Sequence, residues 1–381
     1  MSGRLRIAWL GQRSSTIGDG LITYSREITR GLRERGQRVT FFHHEPELAG
    51  EGSVALRALT APRGFRIAPP GEKRRLSEML RQREVDLVHV SLSFSSLDFE
   101  LPDLCHELGL PVVATLHAPF DTRHTMWGSL SRVLYRIYAV PLARFDRIVV
   151  FGPTQLELLA AMGVPRESLR VVPNGVDVRR YSPGPAERLQ PLQAERLFLY
   201  MGRLDPEKNV HALIDAFLAA DPGEQVRLAV VGSGSERRRL ESRHSDPRLA
   251  FLGLITDEAE RIALLRSAEA FFLPSSIEGL SLALLEAMAC GVCPVATEVG
   301  VDGDAVRGAG IALDPVNVES ELRLALRLLV HTPGLARHVG QLARQRALER
   351  YSLERNIDAL LDIYKELVDR TPAPVVQMDW R

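Results

Sequence analysis

Ser275-Ser276-Ile277-Glu278-Gly279-Leu280-Ser281-Leu282-Ala283-Leu284-Leu285-Glu286-Ala287-Met288-Ala289-Cys290 is the stretch on which the reading of this chain turns. It sets Glu286 inside an otherwise apolar helix and Glu278 in the turn that feeds it, so two carboxylates flank a helix amino end. Burying an unpaired carboxylate is costly or forces protonation. Glu286 therefore needs donors, and no neighbour in sequence supplies them. A ligand rich in hydroxyls would. Gly279, Leu280 and Ser281 start the helix, and their unpaired backbone N–H groups would face a diphosphate. The implied ligand carries hydroxyls and phosphates together. Taken alone, Glu286 is equally open to a second reading, a bond to a nearby backbone amide or arginine within a core helix.

Outward from this stretch, short β-branched or apolar runs alternate with amphipathic segments. Strands are expected at 197–201, 227–231, 249–252, 270–273 and 292–296, and in the amino half at 6–10, 38–42, 86–90, 112–116 and 147–151. Alternation at this spacing implies parallel sheets with right-handed crossovers, so the fold class is α/β with two doubly wound, Rossmann-like domains. The turn-rich composition around Asn174-Gly175-Val176-Asp177 and Tyr181-Ser182-Pro183-Gly184-Pro185 places the boundary: domains at 1–178 and 197–351, a linker at 179–196, and a helix with a tail at 352–381. That last helix carries Leu353, Ile357, Leu360, Leu361, Ile363, Tyr364 and Leu367 as an apolar stripe. The tail from Thr371 on, with two prolines, is expected to be poorly ordered. Open parallel sheets bind ligands at the carboxyl ends of their strands, so two facing sheets would leave a cleft, and motifs should sit just after strands.

They do. Gly202-Arg203-Leu204-Asp205-Pro206-Glu207-Lys208-Asn209 follows one strand and opens the next helix; Val231-Gly232-Ser233-Gly234-Ser235 follows another, its glycines permitting close backbone approach to a ligand. Arg203 and Lys208 are two cations able to neutralise charge on a departing nucleoside diphosphate. Without the acidic pair downstream, Lys208 would read as a solvated first-turn residue. In the amino half, Leu116-His117-Ala118-Pro119-Phe120-Asp121 follows the fourth strand and Gly18-Asp19-Gly20 precedes the helix from Leu21 to Arg35.

With Glu-x7-Glu from Glu278 to Glu286, Gly-Arg-Leu-x-x-x-Lys from Gly202 to Lys208, and Pro173-Asn174-Gly175-Val176-Asp177 in this order, the chain resembles the retaining GT-B glycosyltransferases of glycosyltransferase family 4. The resemblance covers nearly the whole chain and is strongest from Val171 to Thr297. It implies that Glu278 contacts the transferred sugar, that Glu286 holds the ribose diol of the nucleotide, and that Arg203 and Lys208 act on the diphosphate. It implies further that His117 faces the sugar in the interdomain cleft, and that Gly20 and Gly232 belong to the donor site with Gly279, Leu280 and Ser281. The amino domain would bind the acceptor, 197–351 the nucleotide sugar, and the last helix would cross back onto the first domain. The family usually has two adjacent glycines at the amino-terminal loop; Asp19 stands where the first is expected, and a carboxylate near phosphate is unfavourable. Transfer in this family is thought to proceed on one face of the sugar without a basic enzyme nucleophile. Asp302-Gly303-Asp304 mimics the metal pair of an unrelated glycosyltransferase fold, but it lies where turn formers are expected. No metal or cofactor is expected, and a UDP-hexose co-substrate is favoured.

Composition agrees. The chain has 381 residues, 25% charged and 45% hydrophobic, the profile of a globular protein of two domains. No apolar run approaches the ~18 to 20 residues that span a bilayer, nor is there a secretory apolar stretch at the amino end, so a cytoplasmic protein is expected, at most peripheral on the membrane. Cys105, Cys290 and Cys293 are too few for a disulfide framework, and Cys290-Gly-Val-Cys293 reads as buried packing rather than a redox pair. Net charge is zero, yet through Arg180 there are 25 Lys and Arg against 19 Asp and Glu, leaving 23 against 29 afterwards. The amino half is thus the one to meet an anionic partner.

Its basic run, Arg63, Arg66, Lys73, Arg74, Arg75, Arg81 and Arg83, leads into a helix, and Met126 to Phe145 mixes Trp127, Tyr135 and Tyr138 with Arg132, Arg136 and Arg144, an interfacial composition. A lipid acceptor of diacylglycerol type at an anionic membrane surface follows as one expectation, with a soluble or polysaccharide acceptor as the alternative and solvated arginine-rich faces equally open. No nucleic acid is expected. A dinucleotide-dependent dehydrogenase would need Gly-x-Gly-x-x-Gly after its first strand and an acidic residue closing the second; Leu10-Gly11-Gln12-Arg13-Ser14 and Phe41-Phe42-His43-His44 provide neither. A phosphorylase carrying pyridoxal phosphate lacks a clear lysine site. A noncatalytic nucleotide-sugar-binding protein on the same fold stays open.

Overall fold

The computed structural model describes all residues except 1–2, 13–19, 49, 51, 61–65, 93–94, 120–132, 134, 138, 333 and 371–381. Gly18, Asp19, Arg63, Trp127, Arg132, Tyr138 and the carboxyl-terminal tail therefore lie outside the described residues. The chain forms two compact units. One gathers the described parts of Met1–His117, Val133–Val172 and Ile357–Arg381, and the body of the other is Pro173–Asn356.

In the first unit the strands are β1 (Arg6–Leu10), β2 (Arg38–His43), β3 (Ser53–Ala55), β4 (Leu59–Thr60), β5 (Arg66–Ile67), β6 (Leu87–Ser91), β7 (Val112–Thr115), β8 (Arg147–Val150) and β9 (Leu169–Val171). Seven of them form a sheet of order β3-β2-β1-β6-β7-β8-β9, and β4 and β5 pair separately. Every pairing in the large sheet is parallel, with Ile7 of β1 opposite both Val39 and Leu87. Helices α1 (Gly20–Glu34), α2 (Glu72–Gln82), α3 (Ser96–Glu107) and α4 (Pro153–Ala161) make crossovers between them.

The second unit has strands β10 (Arg196–Met201), β11 (Val226–Val231), β12 (Leu249–Gly253), β13 (Ala270–Leu273), β14 (Cys293–Thr297) and β15 (Ile311–Leu313) in the order β12-β11-β10-β13-β14-β15, again all parallel. Its helices are α5 (Val210–Ala220), α6 (Arg237–Arg243), α7 (Glu258–Ser267), α8 (Leu282–Ala289), α9 (Asp302–Val306), α10 (Val318–His331) and α11 (Leu335–Arg350). Helix α12 (Leu353–Arg370) follows, and from Ile357 on it belongs to the first unit.

The central strands are apolar runs because helices cover both faces of each sheet; all four residues of β13, Ala270-Phe271-Phe272-Leu273, are buried. The stripe on α12 is likewise buried at Ile357, Leu360, Ile363, Tyr364 and Leu367. Its Tyr364 hydroxyl lies 2.6 Å from His89 Nδ1 of β6, and His89 Nε2 lies 2.8 Å from Thr115 Oγ1 of β7. Both parallel sheets thus appear as the sequence implies.

Two details differ. The short strands β3, β9 and β15 and the β4–β5 pair go beyond the strands read from sequence, because two or three residues are too few to show a period. Asp302-Gly303-Asp304 is not a turn but the first residues of α9. Two acidic residues favour the amino end of a helix, and Ala305 and Val306 give it a buried face.

Sheet order decides where a ligand can enter. In the second unit, connections run outward from β10 to β11 on one side and to β13 on the other, so a crevice opens above the carboxyl ends of β10 and β13. The same reversal lies between β1 and β6 in the first unit.

Candidate functional site

The loop leaving β10 and the loop leaving β13 meet over that crevice. Gly202-Arg203-Leu204-Asp205 turns into a single 3-10 turn at Pro206–Lys208, and Asn209, with φ of +51°, reverses the chain into α5. Asparagine accepts this left-handed conformation more readily than most residues, and its Nδ2 donates to the Pro274 carbonyl at 3.0 Å. Ser276 N–H donates to the Glu207 carbonyl at 2.7 Å, so the two loops are bonded at both levels.

This join brings Lys208 to Glu278. Lys208 Nζ lies 2.5 Å from Glu278 Oε1, and Ser275 Oγ donates to the same oxygen at 2.8 Å. The two side chains are only 11% and 14% exposed, which rules out Lys208 as a solvated helix-start residue. Arg203 sits differently. Its side chain is more than half exposed and pairs with Asp205 at 2.6 Å and Glu207 at 3.0 Å, near the crevice but not on Glu278. Asp205 is itself held by Ser235, whose N–H and Oγ both donate to its Oδ1, and the Ser235 N–H is the main reason its carboxyl stays below the usual range.

The glycine loop after β11 is tightly built for a reason internal to the protein. Gly232 has φ of +141°, and a Cβ there would fall 1.8 Å from the Gly202 carbonyl oxygen. The close backbone approach that the sequence suggests for a ligand is made first to the Gly202 loop.

Ser281 is the N-cap of α8, its Oγ accepting from Leu284 N–H at 3.4 Å. Of the three amides expected to be open at this helix start, one is taken: Ser281 N–H donates to Asp302 Oδ1 at 2.8 Å. This corrects the sequence expectation, which could not see a carboxylate arriving from the next crossover. Gly279 and Leu280 N–H have no acceptor among the described residues.

Glu286, in the second turn of α8, has polar neighbours that sequence proximity hid. Burial raises its carboxyl to about 7, opposed by the Arg261 charge and the Tyr181 hydroxyl. The Tyr181 hydroxyl donates to Glu258 Oε1 at 3.1 Å, and Arg180 reaches Glu258 at 2.9 Å. Tyr181, Arg180, Glu258 and Arg261 were not singled out as site residues from sequence; an aromatic and an arginine in a turn-rich stretch, and two charges on α7, carry no motif signal.

His117 lies just past β7 in the first unit. Its Nε2 is 2.9 Å from Ser91 Oγ, and its ring meets Tyr24 and Phe151 edge-on at 4.7 and 5.1 Å. Burial pushes its pKa down to about 3, so the imidazole is neutral and can offer only hydrogen bonds. Gly20 is the first residue of α1. Three of the six described members of the basic run are in ion pairs: Arg66 with Glu45, Arg74 with Glu78 and Arg75 with Glu72. Val133, Ile137 and Val140, spaced as one helical face, are each more than half exposed. Among the described residues no helix is long and apolar enough to cross a membrane.

Comparisons with known proteins point one way. Residues 18–180 match the model of Glycosyltransferase Family 4, and 187–346 that of Glycosyl transferases group 1. A glycogen synthase of Mycobacterium tuberculosis is 30% identical over 70% of this chain and 66% of its own length. An MMP alpha-(1->4)-mannosyltransferase of Mycolicibacterium hassiacum is 27% identical over 97% of this chain and 100% of its own. Among solved structures, Anabaena Alr3699/HepE in complex with UDP superposes with a TM-score of 0.77 at 18% identity, covering 95% of this chain and all of the other.

Proposed function

The chain belongs to the GT-B glycosyltransferases of family 4, and from that membership we propose that it moves a hexose from a nucleotide diphosphate sugar to an acceptor hydroxyl with retention of configuration. The observation that carries this reading is the Lys208–Glu278 pair, closed by Ser275, over the crevice between β10 and β13.

Each residue has a part. Gly279 and Leu280 amides at the start of α8, with Arg203 and Lys208, face the diphosphate; Glu278 takes sugar hydroxyls; Glu286 takes the ribose diol. As the bond from the sugar to the diphosphate breaks, negative charge grows on the leaving phosphate oxygen, and a cation held at 11% exposure acts on it with little screening. Glu278 is bonded to Lys208 and Ser275 rather than poised as a nucleophile, which supports attack by the acceptor hydroxyl on the face the diphosphate leaves, its proton passing to the departing phosphate. His117 contacts the donor sugar as a neutral hydrogen-bonding group. The proposal needs no metal, since two cations and backbone amides carry the charge.

A UDP-hexose is the favoured donor, supported by the UDP in the similar Anabaena structure. For the acceptor we take a glycolipid of diacylglycerol type, used by a cytoplasmic enzyme resting on an anionic membrane. The exposed Val133, Ile137 and Val140 face supports it. The glycogen synthase relative supports a saccharide acceptor instead.

A screen of nucleotide sugars by thermal shift and hydrolysis, then the best donor against lipid and soluble acceptors, tests the reading. A donor that stabilises the protein and is turned over is expected, as is co-sedimentation with anionic vesicles at low salt. No response to any nucleotide sugar would remove the transferase reading; turnover on soluble saccharides alone, with no vesicle binding, would remove the lipid acceptor.

A further inference from the structure

The peptide group joining Leu280 to Ser281 is held at both of its polar atoms. Asn174 Nδ2 donates to the Leu280 carbonyl oxygen at 3.2 Å, and Ser281 N–H donates to Asp302 Oδ1 at 2.8 Å. In a capping box, the side chain at the third helical position, Glu or Gln, reaches back to the N-cap N–H. Here that position is Leu284, which cannot. Asp302, from the start of α9, supplies the missing carboxylate from another element.

The surrounding loop is pressed onto the same turn. Val301 N–H donates to the Gly279 carbonyl at 2.8 Å. Gly300 has φ of +55°, and a Cβ there would fall 2.1 Å from the Glu278 carbonyl oxygen.

Asp302 is 1% exposed, and its Oδ2 has no hydrogen-bond partner among the described residues. Burying a carboxylate with one oxygen unpaired is costly, and the cost falls most heavily on its charged form. Burial, then the charge of Glu278, push its carboxyl well above the ordinary range, against the Ser281 N–H and the Lys208 charge. The groups facing it are Glu278 from the turn before α8, Lys208 from the turn before α5, and Tyr351 at the end of α11; Arg346 of α11 is taken up by the carbonyls of Ala305 and Arg307.

We propose that Asp302 is a positioning residue of the diphosphate turn, fixing the Leu280–Ser281 peptide so that the Gly279 and Leu280 amides and the open first-turn amides of α8 meet the phosphates. This rests on the donor site proposed above and deepens it. Occupying Ser281 N–H with a carboxyl is compatible with a nearby diphosphate only while that carboxyl keeps its proton. Once ionised, it would repel the ligand it helps to seat.

The test is calorimetric binding of UDP, GDP, uridine and guanosine to wild type, Asp302→Ala and Asp302→Asn, from neutral to alkaline pH. Loss of one to two hydrogen-bonded constraints should cost Asp302→Ala about tenfold in nucleoside diphosphate affinity while nucleoside affinity stays within about twofold. Asp302→Asn keeps an acceptor oxygen and cannot ionise. It should bind the diphosphate as wild type does at the acid end of the range, and lose the fall that wild type shows, on raising the pH, in diphosphate affinity relative to nucleoside affinity, a ratio from which the Glu286 effect on the ribose cancels. Equal losses for nucleoside and diphosphate, or the same pH profile in wild type and Asp302→Asn, would overturn the proposal. Should Asp302→Ala fail to fold, the pH profiles of the other two proteins decide it. A wild type that binds none of these ligands removes the donor-site reading, and this proposal with it.

Discussion

Lys208 Nζ stands 2.5 Å from Glu278 Oε1, so the cation assigned to the diphosphate and the carboxylate assigned to the sugar are partners before any donor arrives. The pair is largely buried, and the two side chains come from turns after different strands.

Removing Lys208 should therefore act twice. Lys208→Ala should lower kcat by about 10²-fold, as loss of a preorganised charge at a developing anion does, with a smaller change in donor affinity. It should also cost about 3–5 kcal/mol of stability, because Glu278 is left buried without its cation. Lys208→Ala/Glu278→Ala should recover part of that loss. Steady-state kinetics and urea denaturation read both effects, and an unchanged kcat would rule out the assigned role.

Glu286 should give donor binding a pH dependence. Its carboxyl, raised to about 7 by burial, accepts hydroxyls best when ionised, so donor affinity should rise as pH rises through about 7. Glu286→Gln should abolish that dependence and weaken nucleotide binding by about 1.5–3 kcal/mol at alkaline pH, the worth of a charge-assisted hydrogen bond. Stability moves the other way. The folded state holds a proton here that the unfolded chain releases near 4.5, so this group makes wild type less stable as pH rises from 4.5 to about 7, and Glu286→Gln removes that slope. Nucleotide titrations and denaturant midpoints across this range check both signs.

His89 should contribute to acid sensitivity. It is fully buried and, chiefly through burial, its pKa is pushed down to about 3 from 6.5. Between those values the unfolded chain binds a proton that the fold refuses, so the contribution is complete above 6.5 and is lost as pH falls below it. In His89→Gln the dependence of unfolding free energy on pH below 6.5 should be shallower by about 1.4 kcal/mol per pH unit. Identical slopes in the two proteins would contradict this.

Gly300→Ala should damage the donor turn without touching a charged group. The left-handed backbone alone costs a residue with a Cβ about 1–3 kcal/mol, and the new carbon would strike the Glu278 carbonyl oxygen. The turn must shift, so nucleoside diphosphate affinity and thermal stability should fall together. Retained binding at wild-type stability would show that the loop after β14 does not set the geometry of Glu278.

Much of this protein could be read along the chain. Five strands in each half announce themselves as apolar runs, and for the central ones the reason is that covering both faces of a parallel sheet removes alternation and leaves a block that composition reveals. Pro173 to Asp177, Gly202 to Lys208 and Glu278 to Glu286 were legible because their chemistry is local: a turn after a strand fixes spacing within a few residues.

The rest depended on contacts between segments far apart in sequence. Tyr181 and Arg261 act on the Glu286 carboxyl, Lys208 reaches Glu278, and Asp302 takes the Ser281 amide; none of these has a fixed offset from its partner. Asp302 shows the reason most plainly. In sequence it is one of two acids beside a glycine, with the composition of a turn. In the folded chain the crossover from β14 carries it to the start of α8, where burial and a missing cap give its carboxyl a partner and deny it water. Local spacing specified which elements would form and which side chains they would present; sheet order, which is set by nonlocal packing, decided which of those side chains meet and in what state of charge.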